Sequence, residues 1–271
     1  MRAAVLGSPI GHSLSPVLHR AAYAALGLAW SYDAIELPSG GLATFLDGLD
    51  AHWAGLSLTM PLKREVLPLL TAASRLVEIT GAANTVVLRD GGRVGHNTDV
   101  AGIVEALRSV GVLQVSRAAV IGAGATAASA LVALHELGAH HVRVLARRET
   151  RSLDAVAAAV GVSLRYGTFD PLELEDRWPE VVVNTTPAGA LDDFAALADP
   201  SGVVPPLLDV VYAPWPTPLA ARYDAAGGVV VGGAAMLLHQ AAAQVTLMTG
   251  LEAPLEAMRA ALAQAAGMST T

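Results

Sequence analysis

Short apolar runs alternate with amphipathic stretches along the whole chain. Met1 to Leu6 is long enough for one strand, and Gly7, Ser8 and Pro9 break it into a loop. The next periodic stretch, about Pro16 to Leu26, predicts a helix with Ser15 as N-cap and Pro16 in its first turn. Gly55 to Thr59 predicts a strand, with Leu56 and Leu58 on one face and Ser57 and Thr59 on the other. Pro61 then opens a helix carrying Lys63. Ala83 to Leu88 and Arg93 to His96 flank the turn residues Asp90-Gly91-Gly92 and predict a hairpin. Val100, Ile103, Val104 and Leu107 recur at helical spacing, so about Val100 to Val110 is predicted helical, with Asp99 as a natural N-cap.

A second series of the same kind begins at Ala118. Ala118 to Ile121 predicts a strand, Gly122 to Ala127 a glycine-rich turn, Ala128 to Leu137 a helix and Val142 to Ala146 the next strand. Val181 to Asn184, Leu207 to Val211 and Gly228 to Val231 read as later strands, followed by helices at Ala235 to Met248 and Leu255 to Ala265. Strands alternating with helices predict an α/β fold with parallel strands. The pattern divides into a first domain ending near residue 98 and a nucleotide-binding domain from about 99 to 232. The last helices either close the second domain or return to the first.

Composition narrows the function. With 53% hydrophobic and 15% charged residues among 271, the chain can bury a sizeable core. Seventeen basic against 24 acidic side chains leave a net charge of −7, which argues against nucleic acid or an anionic membrane as partner. There is no cysteine, which excludes disulfides, cysteine–zinc sites, iron–sulfur clusters and thiol nucleophiles. The eight histidines show no metal-ligand spacing, so no metal is expected. No secretory signal is read at the N-terminus. The most apolar long window, Val229 to Met248, is interrupted by Gly232, Gly233, His239, Gln240 and Gln244, which suits a buried helix better than a membrane span. The expectation is a soluble, cytoplasmic protein, monomer or homodimer, acting on a small molecule.

Gly122-Ala123-Gly124-Ala125-Thr126-Ala127 is a G-x-G-x-x-A fingerprint between a predicted strand and a predicted helix. In such a turn the first glycine makes the bend, the second admits a pyrophosphate, and the helix N-terminus supplies positive potential. The end of the following strand reads Ala146-Arg147-Arg148-Glu149-Thr150-Arg151. A site for NAD would place a carboxylate there for the ribose 2′-hydroxyl, whereas guanidinium groups at 147, 148 and 151 suit a 2′-phosphate. NADP is the predicted cofactor.

Further polar strings cluster near predicted strand ends. They are His12-Ser13-Leu14-Ser15-Pro16, Thr59-Met60-Pro61-Leu62-Lys63, Gly81-Ala82-Ala83-Asn84-Thr85 and Asn97-Thr98-Asp99-Val100-Ala101-Gly102. Taken singly each has a structural explanation: Ser15 and Asp99 as caps, Asn84 in a turn, Lys63 on the surface. In order, and joined by N-T-T-P-x-G at Asn184, D-x-x-Y-x-P-x-x-T from Asp209 to Thr217 and M-L-x-x-Q from Met236 to Gln240, the series resembles the shikimate dehydrogenase family. That family interconverts 3-dehydroshikimate and shikimate with NADP on the route to aromatic amino acids.

The resemblance implies a two-domain α/β fold, with residues 1–98 plus 235–271 as the substrate domain and 99–234 as a Rossmann-like NADP domain. It implies Lys63 and Asp99 as the catalytic pair. Ser13, Ser15, Thr59, Asn84 and Gln240 would hold the substrate's carboxylate and hydroxyls, with Tyr212 near the carboxylate. Gly122 to Ala127, Arg147, Arg148 and Arg151 would bind NADP, and Gly233 and Met236 would lie beside the nicotinamide. Three positions depart from the family pattern: Ser57 stands where Asn is usual, Ala146-Arg147-Arg148 replaces N-R-T, and Ala125 replaces a commoner Gly. None touches Lys63 or Asp99. Competing readings are a quinate/shikimate dehydrogenase of broader substrate or cofactor use, a non-catalytic sensor of the same ligand, and an unrelated Rossmann reductase. The retained Lys63 and Asp99 argue against the sensor, and the serine pair and N-T-D string against the unrelated reductase.

Overall fold

A computed structural model describes residues 1–147, 151–169, 179–192, 204–265 and 267. The chain divides into two compact units, Met1–Thr98 with Leu237–Thr271, and Asp99–Met236.

The first unit is built on β1 (Arg2–Gly7), β2 (Ser31–Glu36), β3 (Trp53–Leu58), β4 (Ala72–Ala73), β5 (Thr85–Arg89) and β6 (Gly92–His96), in the order β2-β1-β3-β5-β6-β4. β1 lies parallel to β2 and β3, but β5 runs antiparallel to both β3 and β6. The sheet is therefore mixed, parallel but for the predicted hairpin, whose strand β5 is antiparallel to its neighbours. The reason is local: Asp90 (φ 52°) and Gly91 (φ 75°) form a two-residue turn of the type I′ kind, which can join only antiparallel strands.

Four helices accompany these strands: α1 (Ser15–Ala25), α2 (Leu42–Asp47), α3 (Leu62–Glu65) and α4 (Arg75–Thr80). Ser15 is not the N-cap of α1. Leu14 holds that position without a side-chain cap bond, and the Ser15 N–H donates to Ser13 Oγ at 3.3 Å. Leu6, Leu56 and Leu58 from the sheet pack with Leu42, Leu46, Leu62 and Val66 into one apolar cluster.

The second unit comprises α5 (Asp99–Arg108), β7 (Arg117–Ile121), α6 (Ala125–Glu136), β8 (His141–Leu145), α7 (Asp154–Val160), β9 (Ser163–Gly167), β10 (Val181–Asn184), β11 (Leu207–Asp209), α8 (Pro218–Ala225) and β12 (Val230–Gly232). Its sheet has the order β12-β11-β10-β7-β8-β9, parallel throughout. That is the doubly wound order, with a switch point between β7 and β10 where such folds bind dinucleotides. Ala118 to Ile121 and Val181 to Val183 are fully buried, as a sheet covered on both faces requires. α6 begins three residues earlier than expected, so the end of the glycine fingerprint is already helix. Asp99 likewise is the first residue of α5 and not a residue outside it.

α9 (Gly233–Thr249) starts in the second unit and continues, from Leu237, in the first, followed by α10 (Leu255–Ala265). α10 packs on α1. α9 covers the face of β3 opposite the leucines: a Cβ at Gly55 would come within 2.8 Å of Met248 Cγ. Ser57 therefore faces a helix, at 3% exposure, and not solvent. Among the described residues no helix is long and apolar enough to cross a membrane.

Candidate active site

In the first unit Ser13, Ser15, Thr59 and Lys63 follow the C-terminal ends of β1 and β3, Asn84 precedes β5 and Gln240 lies on α9, and backbone hydrogen bonds tie the first three segments together. The Thr59 N–H donates to the Leu6 carbonyl at 2.9 Å, and Ser8 N–H to the Met60 carbonyl at 2.9 Å. The loop leading to Ser13 is held by Glu36, whose carboxylate accepts from Ser8 Oγ at 2.5 Å and Ile10 N–H at 2.9 Å. Lys63 rides on the single turn of α3 and is half-buried. Its carbonyl accepts from the Ala83 N–H at 2.9 Å, which fixes the turn beside Asn84. Two residues further on, Glu65 accepts from Ser39 Oγ at 2.6 Å and Gly40 N–H at 2.9 Å, pinning the preceding loop to the same helix.

Asn84 is buried at 2% exposure and is fully engaged. Its Oδ1 accepts from the Thr98 N–H at 2.8 Å and from Thr85 Oγ1 at 2.8 Å. Its Nδ2 donates to Thr98 Oγ1 at 2.8 Å and to Gln240 Oε1 at 3.3 Å. With donors filling Oδ1, the amide's orientation follows from the network. Asn84 and Gln240, 156 residues apart, thus meet directly. Asn97 serves structure: its Nδ2 donates to Thr80 Oγ1 at 3.0 Å and to the Ala82 carbonyl at 3.1 Å.

In the second unit the glycine turn has the form the fingerprint predicts. Gly122 has φ 109°, and a Cβ there would lie 2.5 Å from Thr185 Oγ1. Gly124 is the N-cap of α6, with no side-chain cap and nothing within 4 Å of where a Cβ would stand. That open approach to uncapped N–H groups fits a pyrophosphate. Ala123 and Thr126 are half-buried and Ala127 is buried against the sheet. Ser152 Oγ donates to the Ala123 carbonyl at 3.0 Å, joining the arginine loop to the turn. Arg147 is exposed, and Arg151 lies 3.6 Å from Asp154 in an exposed pair. Arg148, with Glu149, lies outside the described residues.

The N-T-T-P and D-x-x-Y-x-P-x-x-T strings hold the ends of β10 and β11. Asp209 is fully buried, accepting from Asn184 Nδ2 at 3.1 Å, Val211 N–H at 3.1 Å and Thr217 Oγ1 at 2.7 Å. Burial pushes its carboxyl up, partly offset by these three hydrogen bonds. Thr217 in turn caps α8 through the Ala220 N–H at 3.0 Å. Tyr212 follows, half-buried. Gly233 donates to the Val211 carbonyl at 3.1 Å, and Met236 is 8% exposed.

Gly122→Ala places a side chain in a backbone region that costs roughly 1–3 kcal/mol, and Gly233→Ala drives a Cβ to 2.0 Å from the Val210 carbonyl oxygen. Both variants are expected to unfold at lower urea concentration than the wild type. Gly122→Ala is also expected to weaken NADPH binding, read by nucleotide fluorescence. Unchanged midpoints would mean that the turn relaxes at no cost.

Sequence reasoning missed Glu36, Glu65, Tyr32 and Gln244. No local signal marks the first three. Gln244 has one: two glutamines at i and i+4 share a face of an otherwise apolar helix.

The chain matches the family model for the shikimate dehydrogenase substrate binding domain over residues 5–86 and that for the shikimate 5'-dehydrogenase C-terminal domain over 233–263. It is 38% identical to the shikimate dehydrogenase (NADP(+)) of Citrifermentans bemidjiense, over 96% of this chain and 94% of that protein. Shikimate dehydrogenase of Mycobacterium tuberculosis superposes with a TM-score of 0.88 at 43% identity, covering 97% of this chain and 99% of that one. The Thermus thermophilus shikimate 5-dehydrogenase, solved with NADP(H) and shikimate, gives 0.85 at 33% identity, covering 98% and 99%. A fold, a glycine turn and a buried Asn–Gln pair thus occur in a chain alike over nearly its full length, and it belongs to the shikimate dehydrogenase family.

Proposed function

We propose that the protein is an NADP-dependent shikimate dehydrogenase, reversibly reducing 3-dehydroshikimate to shikimate in aromatic amino acid biosynthesis. The observation that carries this reading is the buried Asn84–Gln240 contact, which draws residues of two separate family strings together at the strand ends that also carry Thr59 and Lys63. Asn84, Gln240, Thr59, Ser13 and Ser15 hold the substrate's hydroxyls and carboxylate, with Tyr212 near the carboxylate. The turn from Gly122 to Ala127 holds the pyrophosphate of NADP, Arg147, Arg148 and Arg151 its 2′-phosphate, and Gly233 and Met236 border the nicotinamide. Bound NADPH supplies the hydride that the ketone carbon accepts.

The protein's own chemistry is then proton transfer. Lys63 as an ammonium donates a hydrogen bond to the ketone oxygen and delivers a proton as that oxygen becomes a hydroxyl. In the reverse direction its neutral amine takes the proton back. Asp99, in the first turn of α5, orients that amine and accepts from a neighbouring hydroxyl. No metal is required of these residues, since an ammonium group stabilises the developing alkoxide. The same reading has the enzyme working in the cytoplasm as a monomer or homodimer.

The test is a rate assay of shikimate and of quinate, each with NADP and with NAD, following reduced nicotinamide by absorbance. A strong preference for shikimate with NADP is the expected result. Comparable turnover of quinate or use of NAD would move the protein to relatives of broader specificity. No turnover by folded, nucleotide-binding protein would overturn the enzyme reading.

A further inference from the structure

Gln244 lies one helical turn beyond Gln240 and is 1% exposed. Each polar atom of its side chain is engaged, and the partners form a chain with one direction. Tyr32 Oη donates to Ser57 Oγ at 2.6 Å, and Ser57 Oγ donates to Gln244 Oε1 at 2.8 Å. Gln244 Nε2 donates to Thr85 Oγ1 at 3.0 Å and to the Asn84 carbonyl at 3.2 Å. Thr85 Oγ1 then donates to Asn84 Oδ1 at 2.8 Å. A hydroxyl carries one proton, so each donation fixes the next. Thr85, receiving from Gln244, must spend its proton on Asn84 Oδ1. Together with the Thr98 N–H on the same oxygen, this leaves Nδ2 as the edge facing Gln240.

We propose that Gln244 is a positioning residue for substrate binding: through Thr85 Oγ1 and the Asn84 carbonyl it holds the Asn84 amide in place, while the Thr98 N–H sets which edge faces Gln240. The proposal rests on the shikimate dehydrogenase reading of Asn84. It also accounts for Ser57, which stands where the family resemblance expects an asparagine. The hydroxyl lacks an amide donor, and Gln244 brings an amide from α9 to Ser57 Oγ. Removing that amide releases Thr85 Oγ1 and the Asn84 carbonyl, so Asn84 keeps the Thr98 N–H on Oδ1 but loses the second anchor, while no group on the substrate itself is lost.

The experiment uses the full-length enzyme with shikimate and NADP. Gln244→Met keeps length and burial but removes both hydrogen-bonding ends. It is expected to raise KM for shikimate about 10-fold, the size of one net hydrogen bond, with kcat and KM for NADP little changed. Thr85→Val cuts the same chain one link on and is expected to do the same, whereas Thr85→Ser restores wild-type behaviour. In an Asn84→Ala background Gln244→Met is expected to add nothing further, because the residue it acts through is gone. A folded Gln244→Met enzyme with unchanged KM for shikimate, or an undiminished effect in the Asn84→Ala background, would overturn the proposal and leave the function standing. If Gln244→Met does not fold, the contrast between Thr85→Val and Thr85→Ser decides on the same readout. A wild type that is folded but inactive with shikimate would overturn both.

Discussion

Replacing Lys63 by alanine is expected to lower kcat at least ~100-fold while the dissociation constant for shikimate changes little. The backbone of Lys63 does the structural work at this position, since its carbonyl accepts from the Ala83 N–H, and alanine keeps that bond. α3 is a single turn bracketed by Leu62, which is fully buried, and by Glu65, which pins the neighbouring loop. The side chain of Lys63 is half-buried and can be removed without opening the apolar cluster. In the proposed site, binding is shared among Asn84, Gln240, Thr59 and the serines, all untouched by this change. The loss therefore falls on the proton transfer. Single-turnover rates with NADPH, together with equilibrium binding of shikimate, separate the two quantities. A variant that keeps more than about a tenth of the wild-type rate would remove Lys63 from the acid–base role.

Acidification from pH 7.5 to 4 is expected to cost the folded protein about 3 kcal/mol through His19 alone. His19 is completely buried on α1, stacked on Tyr32 with ring centroids 3.9 Å apart. Nδ1 lies 3.0 Å from the Ser15 carbonyl and is the protonated nitrogen, and Nε2 has no partner. A second proton on Nε2 would place a charge in an apolar, unpaired position. Burial accordingly lowers the pKa from 6.5 to about 4. The unfolded chain binds this proton as pH falls through 6.5 and the folded chain resists until about 4. Stability contributed by neutral His19 is therefore full above pH 6.5 and lost between there and about 4. Burial also lowers His96, which acts in the same direction, so the His19 share is read by difference. Urea midpoints at pH 7.5 and 4.5 should converge less in wild type than in His19→Phe, which keeps the stack and has nothing to titrate. Equal pH slopes in the two proteins would show that His19 contributes nothing to acid lability.

Much of this architecture was legible because its signals are local. β1, β10 and the β5–β6 hairpin follow from short apolar runs bounded by Gly, Pro and Asn, and α10 from its amphipathic period. The parallel sheet of the second unit was legible as repeated buried strands with a glycine turn after the first. β2 was not. Tyr32 is its one buried residue, so Ser31–Glu36 carries no strong alternation and is a strand chiefly because β1 lies beside it. α7 and β9 were equally silent.

The site divides in the same way. Asn84, Lys63 and Gln240 were named from strings of neighbouring residues. Their fixing was not, because Gln244 reaches Ser57 across 187 positions and Thr85 across 159. The β3 face that carries Ser57 is covered by a helix from the far end of the chain. Strand alternation reports two faces but cannot say what packs on either.

That distant helix also sets an order of assembly during synthesis. Residues 99–236 form a contiguous unit, complete once they have left the ribosome. The unit that begins at Met1 is discontinuous, and lacks α10 against α1 and Gln244 against Ser57 until the last stretch emerges. The usual vectorial sequence, with the amino-terminal part folding first, is thus inverted. A released chain ending at Met236 would carry the whole central unit and an amino-terminal sheet with Gly55 and Ser57 bare, a state for chaperones to meet.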